Sequence, residues 1–419
     1  MSASQQIRRI PVLAFAATQL IFAGSFATAW SVLPGPDRNQ LLTKVTHAAP
    51  PVDVIIRDQQ PIRIEPLYDD PGVVSDEELA GVLAKVLPRF APARLKPNFA
   101  EHALRIWGDQ IEFNSQELMS GPVMREFLTD SAKYISAWGE GTEPMLQQED
   151  QGVTVVWGQT GTTSVHHDHM LACLTEAGVP LNAPVFTTRS RMQFADVLNQ
   201  ALRDFQLDER ETEWSVMAFG FWLAPQGISQ WHNGDGRLIS LDLLASRLMR
   251  NIRKHGVCLG THRVYSLVVL LRLNQTYGGE LISKETESEI RNYLFETRDL
   301  IVAAQAADGS FPPNWTDGAD AAAKVDPTEK EYRRVISTGH HLEWLAIAPP
   351  EFHPDREVVQ RAADWAIRNT LETPQDVVNQ NYTFYSHVGN ALALWRKTSP
   401  PEFWQSWRKI HPEAEHLPE

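Results

Sequence analysis

The sequence predicts an all-α fold, an (α/α)6 toroid of six helical hairpins with short β-hairpin insertions. Three observations carry this. From Asp76 onward apolar residues recur at helical spacing almost without a break. The helical stretches alternate between a kind with a charged face and a kind that is apolar nearly all round. The second kind opens the same way almost every time, on a polar cluster that usually contains histidine.

Residues 1–29 read as a signal peptide or membrane anchor. Arg8 and Arg9 precede an apolar stretch from Ile10 to Ala29, and Ala27 and Ala29 offer small residues for cleavage before Trp30. The same stretch is long enough to span a bilayer, which takes about 20 residues. Either way the body of the chain is expected on the periplasmic or extracellular face, exported and touching the membrane only through this segment. Residues 30–75, with Pro34, Pro36, Pro50, Pro51, Pro61, Pro66 and Pro71 and no helical period, read as a linker.

The toroid domain is expected over 76–400, with 401–419 as a C-terminal tail. Charged-face helices are predicted at 76–90, 121–137, 191–205, 240–254, 285–305 and 357–372. The apolar kind begins "NFAEHALRIWG" at 98, "TTSVHHDHMLACL" at 162, "ETEWSVMAFGFWL" at 211, "LGTHRVYSLVVLLRL" at 259, "STGHHLEWLAIA" at 337 and "FYSHVGNALALW" at 384. Marked at His102, His167, Trp214, His262, His341 and His387, these follow at steps of 65, 47, 48, 79 and 46 residues. A period in the forties belongs to a helix-hairpin repeat. The longer steps hold "VTVVWGQTG" within 138–161, which suggests a strand or hairpin, and a loop over 306–334. Asn-Gly and Asp-Gly predict a further hairpin at 228–240. An open α-solenoid is the competing arrangement; the closed ring is preferred because the inner segments stay apolar after their first turn.

The stretch "LIVAAQAADGSF", Leu300 to Phe311, resembles the glutamine-tryptophan repeat of the terpenoid cyclase and protein prenyltransferase toroid superfamily. Gln305, Asp308, Gly309, Ser310 and Phe311 fit its pattern, over about one hairpin in six. The resemblance implies the toroid and little about chemistry. The acidic Asp-x-Asp-Asp signature of the cyclases is absent, "DGAD" at 317–320 not being it, and neither Cys173 nor Cys258 has the Asp two residues earlier that marks the prenyltransferase zinc site. The toroid shape is also similar to that of six-hairpin glycosidases and several polysaccharide lyases.

Composition narrows the function. With 43% hydrophobic and 21% charged residues the chain is ordinarily globular, and a net charge of −14 without any basic run argues against nucleic acid as a partner. Two cysteines do not make a disulfide scaffold, and both read as small buried hydrophobes.

Parallel inner helices would bring their N-termini to one rim, with His102, His166, His167, His169, Glu211, Glu213, His262, His340, His341, Tyr385 and His387 around a central opening. Positive dipole ends aimed there favour neutral imidazoles that act as bases. His167 and His169 lie about 200° apart if helical and cannot then share an ion, so no metal ligand is assigned. The cofactor is left unknown, zinc being an option the sequence does not favour. His262, Arg263, Tyr265, Asn381, Tyr382, Tyr385 and His387 suit β-elimination from a uronate, which needs a base, an acid and a group to neutralise the carboxylate. Glu213 with Glu343 would suit glycoside hydrolysis, where two carboxyls stand about 5–10 Å apart, with tryptophans including Trp315 and Trp344 as stacking surfaces.

The catalytic candidates are thus His167, His169, Glu213, His262, His341, Glu343, Tyr385 and His387. Arg263, Trp315, Trp344 and Asn381 are the substrate-binding candidates. The expected function is an exported protein with a histidine-lined central pocket that acts on a polysaccharide by elimination or hydrolysis, its partner a glycan or small molecule. A terpenoid-cyclase-like enzyme and a non-catalytic glycan- or peptide-binding toroid are the alternatives.

Overall fold

The structure is a computed structural model that describes residues 3–33, 54–158, 160–206, 208, 209, 211–250, 257–324, 326 and 328–415. The fold is mostly α-helical. Helix α1 (Ala3–Val32) contains the stretch Ala14–Val32, whose mean hydropathy of 1.2 and length suffice for a signal sequence or a membrane span. There follow α2 (Asp76–Lys85), α3 (Pro97–Trp107), α4 (Gly121–Thr129), α5 (Ser131–Trp138), α6 (His169–Glu176), α7 (Phe194–Asp204) and α8 (Glu213–Leu223). The chain continues through α9 (Leu241–Arg250), α10 (Thr261–Thr276), α11 (Lys284–Ala304), α12 (Glu331–Ile347), α13 (Arg356–Glu372), α14 (Gln375–Gln380), α15 (Tyr382–Trp395) and α16 (Pro400–Ile410). Three antiparallel strand pairs are inserted, 146–148 with 153–155, 184–186 with 191–193, and 230–232 with 238–240.

The six histidine-type segments pack on one another in chain order. α3 packs on α6, α6 on α8, α8 on α10, α10 on α12, α12 on α15, and α15 returns to α3. Every residue of α8 is buried, which explains why "EWSVMAFGFWL" has no polar stripe. Helices α12 and α15 meet closely because Gly339 leaves space, a Cβ there falling 3.0 Å from Val388 Cγ2. The charged-face helices cover this set: α4 lies on α3, α11 on α10, α13 on α12, and α2 on α13 and α15. Helix α16, within the stretch read as a tail, packs on α2, α3 and α15.

Two helix boundaries and one hairpin stand out against the periodicity. The predicted 121–137 helix is broken at Asp130, whose backbone is extended and whose carboxylate caps the next helix by accepting from Ala132 N at 2.8 Å. Helix α12 starts at Glu331 rather than Ser337, because its charged first turn is amphipathic and forms a helix before the apolar run begins. His340 and His341 are therefore in mid-helix. The hairpin at 184–193 has no Asn-Gly or Asp-Gly signal and was not anticipated from the sequence.

The proline-rich segment over 57–70 is an extended strap. Its Gln59 carbonyl accepts from Leu181 N beyond α6, its Glu65 carbonyl accepts from Arg272 at the end of α10, and Tyr68 donates to the Ala348 carbonyl beyond α12. Asp70 N donates to Trp395 O at the end of α15. The strap thus crosses the C-terminal ends of these helices, and Arg396 holds Asp69 at 3.1 Å.

The "QAADGSF" turn joins three helices. Gln305 Nε2 donates at 2.8 Å to both the Gly309 and Val358 carbonyls, and Phe311 N donates to Thr338 Oγ1 in α12. Gly309 has φ +98°, and a Cβ there would sit 2.3 Å from the Arg361 carbonyl oxygen. Gly309→Ala is accordingly expected to cost about 2–3 kcal/mol, read as a lower urea midpoint at unchanged slope. A midpoint equal to that of the native chain would refute this account of the turn.

Candidate functional site

The inner helices carry two polar layers, spaced by one helical turn. His102 precedes Arg105, His262 precedes Tyr265, His340 precedes Glu343 and His387 precedes Asn390, each by three residues, so each pair shares a helix face. Because the helices pack side by side, the first members meet in one layer and the second members in another.

The first layer is a sealed cluster of imidazoles. His102 and His169 ring centroids are 4.8 Å apart, His102 and His387 5.3 Å, His262 and His340 4.6 Å, and His340 and His387 3.8 Å. Trp214 fills the gap, 4.3 Å from both His169 and His262. All five histidines are buried. Their Nδ1 atoms are mostly occupied: His102 donates to the Asn98 carbonyl at 2.8 Å and His340 to the Ile336 carbonyl at 2.7 Å, while His387 Nδ1 lies 3.0 Å from both Glu343 Oε2 and Arg105 Nη1. His169 Nδ1 shares a 2.5 Å hydrogen bond with buried Glu101.

Burial dominates the electrostatics. It holds His102, His169, His262 and His387 well below the ordinary histidine range and pushes His340 down to about 4. The same desolvation pushes the Glu101 carboxyl up to about 8. At neutral pH the layer is uncharged.

The second layer is ionic. Arg105 Nε lies 2.6 Å from Glu176 Oε2, and its Nη1 lies 2.8 Å from Glu343 Oε1. Tyr265 donates to Glu176 Oε1 at 2.9 Å and Asn390 donates to Glu343 Oε1 at 2.6 Å. Burial pulls the Arg105 pKa down, yet the two carboxylates outweigh it and hold the guanidinium well above its ordinary value. Burial and Glu176 together raise the Tyr265 phenol, which stays protonated.

Arg105, Glu176, Tyr265 and Asn390 also line a cavity of about 180 Å³, whose opposite wall is the strap from Ile62 to Pro66. The opening is at the C-terminal ends of the inner helices, whereas the dipole argument placed it at their N-termini. The N-terminal end is filled by the histidines and Trp214.

The sequence-predicted residues divide accordingly. His169, His262, Glu343 and His387 come together across the two layers. His167 instead faces Asp168 and Glu209, at 3.3 and 3.5 Å; it lies in a turn before α6, which begins at His169 rather than at 162, and the left-handed Asp168 between them, not helical spacing, separates the two rings. Glu213 pairs with Arg263 at 2.8 Å and accepts from Thr212 N, contacts that join it to α10 rather than to Glu343. His341 lies one position, about 100° of helix turn, away from His340. It accepts from Trp344 Nε1 at 2.8 Å and packs its ring on Trp315, where burial takes its pKa down to about 3. Asn381 bonds the Val377 carbonyl and Tyr385 donates to Thr373 Oγ1, neither of them on the cavity.

Arg105, Glu176 and Asn390 were not singled out from the sequence. The repeated His-x-x-polar spacing is the signal that finds Arg105 and Asn390, and Glu176 falls seven residues, two turns, after His169. As to ions, donor atoms of Cys258, His262 and His340 lie within 4.8 Å of one another, as do those of His340, Glu343 and His387. No protein-family model, curated protein or solved structure matches the chain.

Proposed function

We propose that the six inner helices close into an (α/α)6 toroid and that the chain is an exported enzyme cleaving a uronate-containing polysaccharide by β-elimination in the strap-covered cavity. The order of packing supports the ring, since each inner helix touches its chain neighbours and the last touches the first. The apolar N-terminal helix supports export or anchoring.

One observation carries the chemistry: Tyr265 bonds Glu176 at 2.9 Å on the wall of a cavity that also presents Arg105 and Asn390. Glu176 is the base that takes the proton beside the uronate carboxylate. Tyr265, kept protonated, gives its proton to the departing glycosidic oxygen as the carbon–carbon double bond forms and the carbon–oxygen bond breaks. The hydrogen bond between the two then returns the proton from Glu176 to Tyr265, and the site is reset. Donors of Arg105 and Asn390 not already used on Glu176 and Glu343 hydrogen-bond the substrate carboxylate and orient it.

Hydrolysis by a carboxylate pair is less well supported, because Glu343 is fully buried behind Arg105 and Asn390. A terpenoid-cyclase-like site would want an aromatic, dry cavity, and here Phe221 and Tyr265 are the aromatic groups on its wall.

The test is to incubate the purified full chain in detergent with uronate polymers and follow the ultraviolet absorbance of unsaturated ends. Tyr265→Phe and Glu176→Gln are each expected to lower turnover by about 10²–10⁴-fold. Turnover equal to that of the native chain in both variants, or absence of turnover on every polymer by folded protein, rejects the reading; binding without turnover would favour a glycan-binding toroid.

A further inference from the structure

The histidine layer is left unused by that chemistry, and its donor arrangement is that of a metal site. His340 gives its Nδ1 hydrogen to the Ile336 carbonyl, so its Nε2 bears a lone pair. That Nε2 faces His262 Nε2 at 3.0 Å. Two imidazole nitrogens on one tetrahedral zinc, each about 2.0–2.1 Å from the ion, stand roughly 3.3 Å apart. The Cys258 sulfur completes a triangle with these histidines inside 4.8 Å.

Three further features fit. Metal-bound histidine commonly donates its other ring nitrogen to a carbonyl or carboxylate, as His340 does. His387, buried and 3.8 Å ring to ring from His340, has an Nε2 with no partner among the described residues. Cys258 and Leu259 both take left-handed backbone, with φ 47° and 64°, and the turn is fastened by Thr261 Oγ1 on the Cys258 carbonyl and Trp315 Nε1 on the Leu259 carbonyl. A non-glycine pair held in that region is strained, and such strain clusters at ligand sites. Glu343 already accepts from Arg105 and Asn390 and is not counted as a ligand.

We infer that Cys258, His262 and His340 bind a divalent transition metal of the zinc class, with His387, whose Nε2 is unpartnered among the described residues, as the candidate fourth donor. The soft thiolate and the imidazoles select zinc, cobalt or copper over magnesium or calcium. Binding takes the Cys258 thiol proton into solvent as the metal–sulfur bond forms. Because the ion would sit in the sealed layer rather than the cavity, the inference stands apart from the elimination chemistry.

The experiment is titration of the metal-free full chain with cobalt(II), read by absorbance and by metal analysis after desalting. One cobalt per chain is expected, with a near-ultraviolet sulfur-to-cobalt band that Cys173→Ser keeps and Cys258→Ser loses, and His340→Ala is expected to weaken binding at least tenfold. A folded native chain that retains no cobalt, or a band unchanged in Cys258→Ser, overturns the inference. Should Cys258→Ser fail to fold by circular dichroism, alkylation of the native chain decides. Protection of Cys258 by zinc, measured against Cys173 by mass spectrometry, supports the site, and equal alkylation with and without zinc overturns it.

Discussion

Arg105→Met is expected to lower the unfolding free energy by about 3–5 kcal/mol, the usual result of removing one partner from a buried ionic group. The guanidinium is almost wholly enclosed and is the cation that both Glu176 and Glu343 contact. Methionine fills similar volume, so the loss comes chiefly from two largely buried carboxylates left without their cation and only secondarily from packing. Arg105→Lys keeps the charge but cannot span both acids with a fork, and its cost should be smaller. Combining Arg105→Met with Glu176→Gln and Glu343→Gln removes the stranded charges and should restore more than half of what the single change loses. Urea unfolding of the four proteins measures this, and a single-variant loss under about 1 kcal/mol would mean that water reaches the layer and solvates the acids.

Acid lability is the second large effect. With chelator present, so that every imidazole is metal-free, stability is expected to fall steeply below about pH 6.5. The sign follows from linkage: a histidine whose folded pKa is depressed stays neutral in the native state while the unfolded chain takes up a proton, so stability is lost as pH falls below the unfolded value and continues to fall down to the folded one. For His340 and His341 that window runs from about 6.5 to about 4 and about 3. Each fully participating histidine removes up to about 1.4 kcal/mol per pH unit, and His102, His169, His262 and His387 shift in the same direction.

Glu101 works against them. Its raised pKa, about 8, lets the native state hold a proton that the unfolded chain has released, so its contribution is present below about pH 4.5 and is lost as pH rises to about 8. One carboxyl cannot offset six imidazoles, and between pH 6.5 and 5 the histidines decide the slope. Thermal melts across that interval should show the midpoint dropping by well over 10 °C, given that a 150–250-residue domain shifts about 2–4 °C per kcal/mol and a larger one somewhat less. A flat midpoint from pH 7 to 5 would mean that the cluster is hydrated or already charged.

Much of this architecture was legible because one-dimensional periodicity maps directly onto helix faces. The charged-face and apolar segments were separable on pattern alone, and the histidines of α3, α6, α10, α12 and α15 do lie together. Their next-turn partners were equally legible in principle, since Arg105, Tyr265, Glu343 and Asn390 stand at a constant offset from histidine. Depth was not. Assigning the polar cluster to a wet rim assumed that helices begin where the apolar run begins. Helix α12 starts six residues earlier, and the His340 face is enclosed.

The mouth of the cavity was hidden for a different reason. It depends on where an aperiodic, proline-rich segment docks, and the strap is placed by single hydrogen bonds with Leu181 N, the Arg272 guanidinium and the Ala348 and Trp395 carbonyls, which carry no sequence pattern. The turn that aims Cys258 is likewise a matter of φ values, and neither Cys258 nor Leu259 belongs to the residues that advertise a left-handed backbone.

The contact of α15 with α3, and the bond between Asp69 and Arg396 across 327 residues, set the order in which this chain can be completed. Emerging from the ribosome N-terminus first, α3 gains α6 early but lacks its other inner neighbour, α15, until most of the chain has been made. Its buried face, with His102 and Arg105, stays open throughout synthesis. Contacts of such sequence separation form slowly, and partly exposed apolar faces invite association in the meantime. A truncation that ends before Tyr382 would therefore leave an unclosed set of helices with Glu343 stripped of His387 and Asn390, and the chaperone requirement of this protein should rise toward the end of translation rather than at its start.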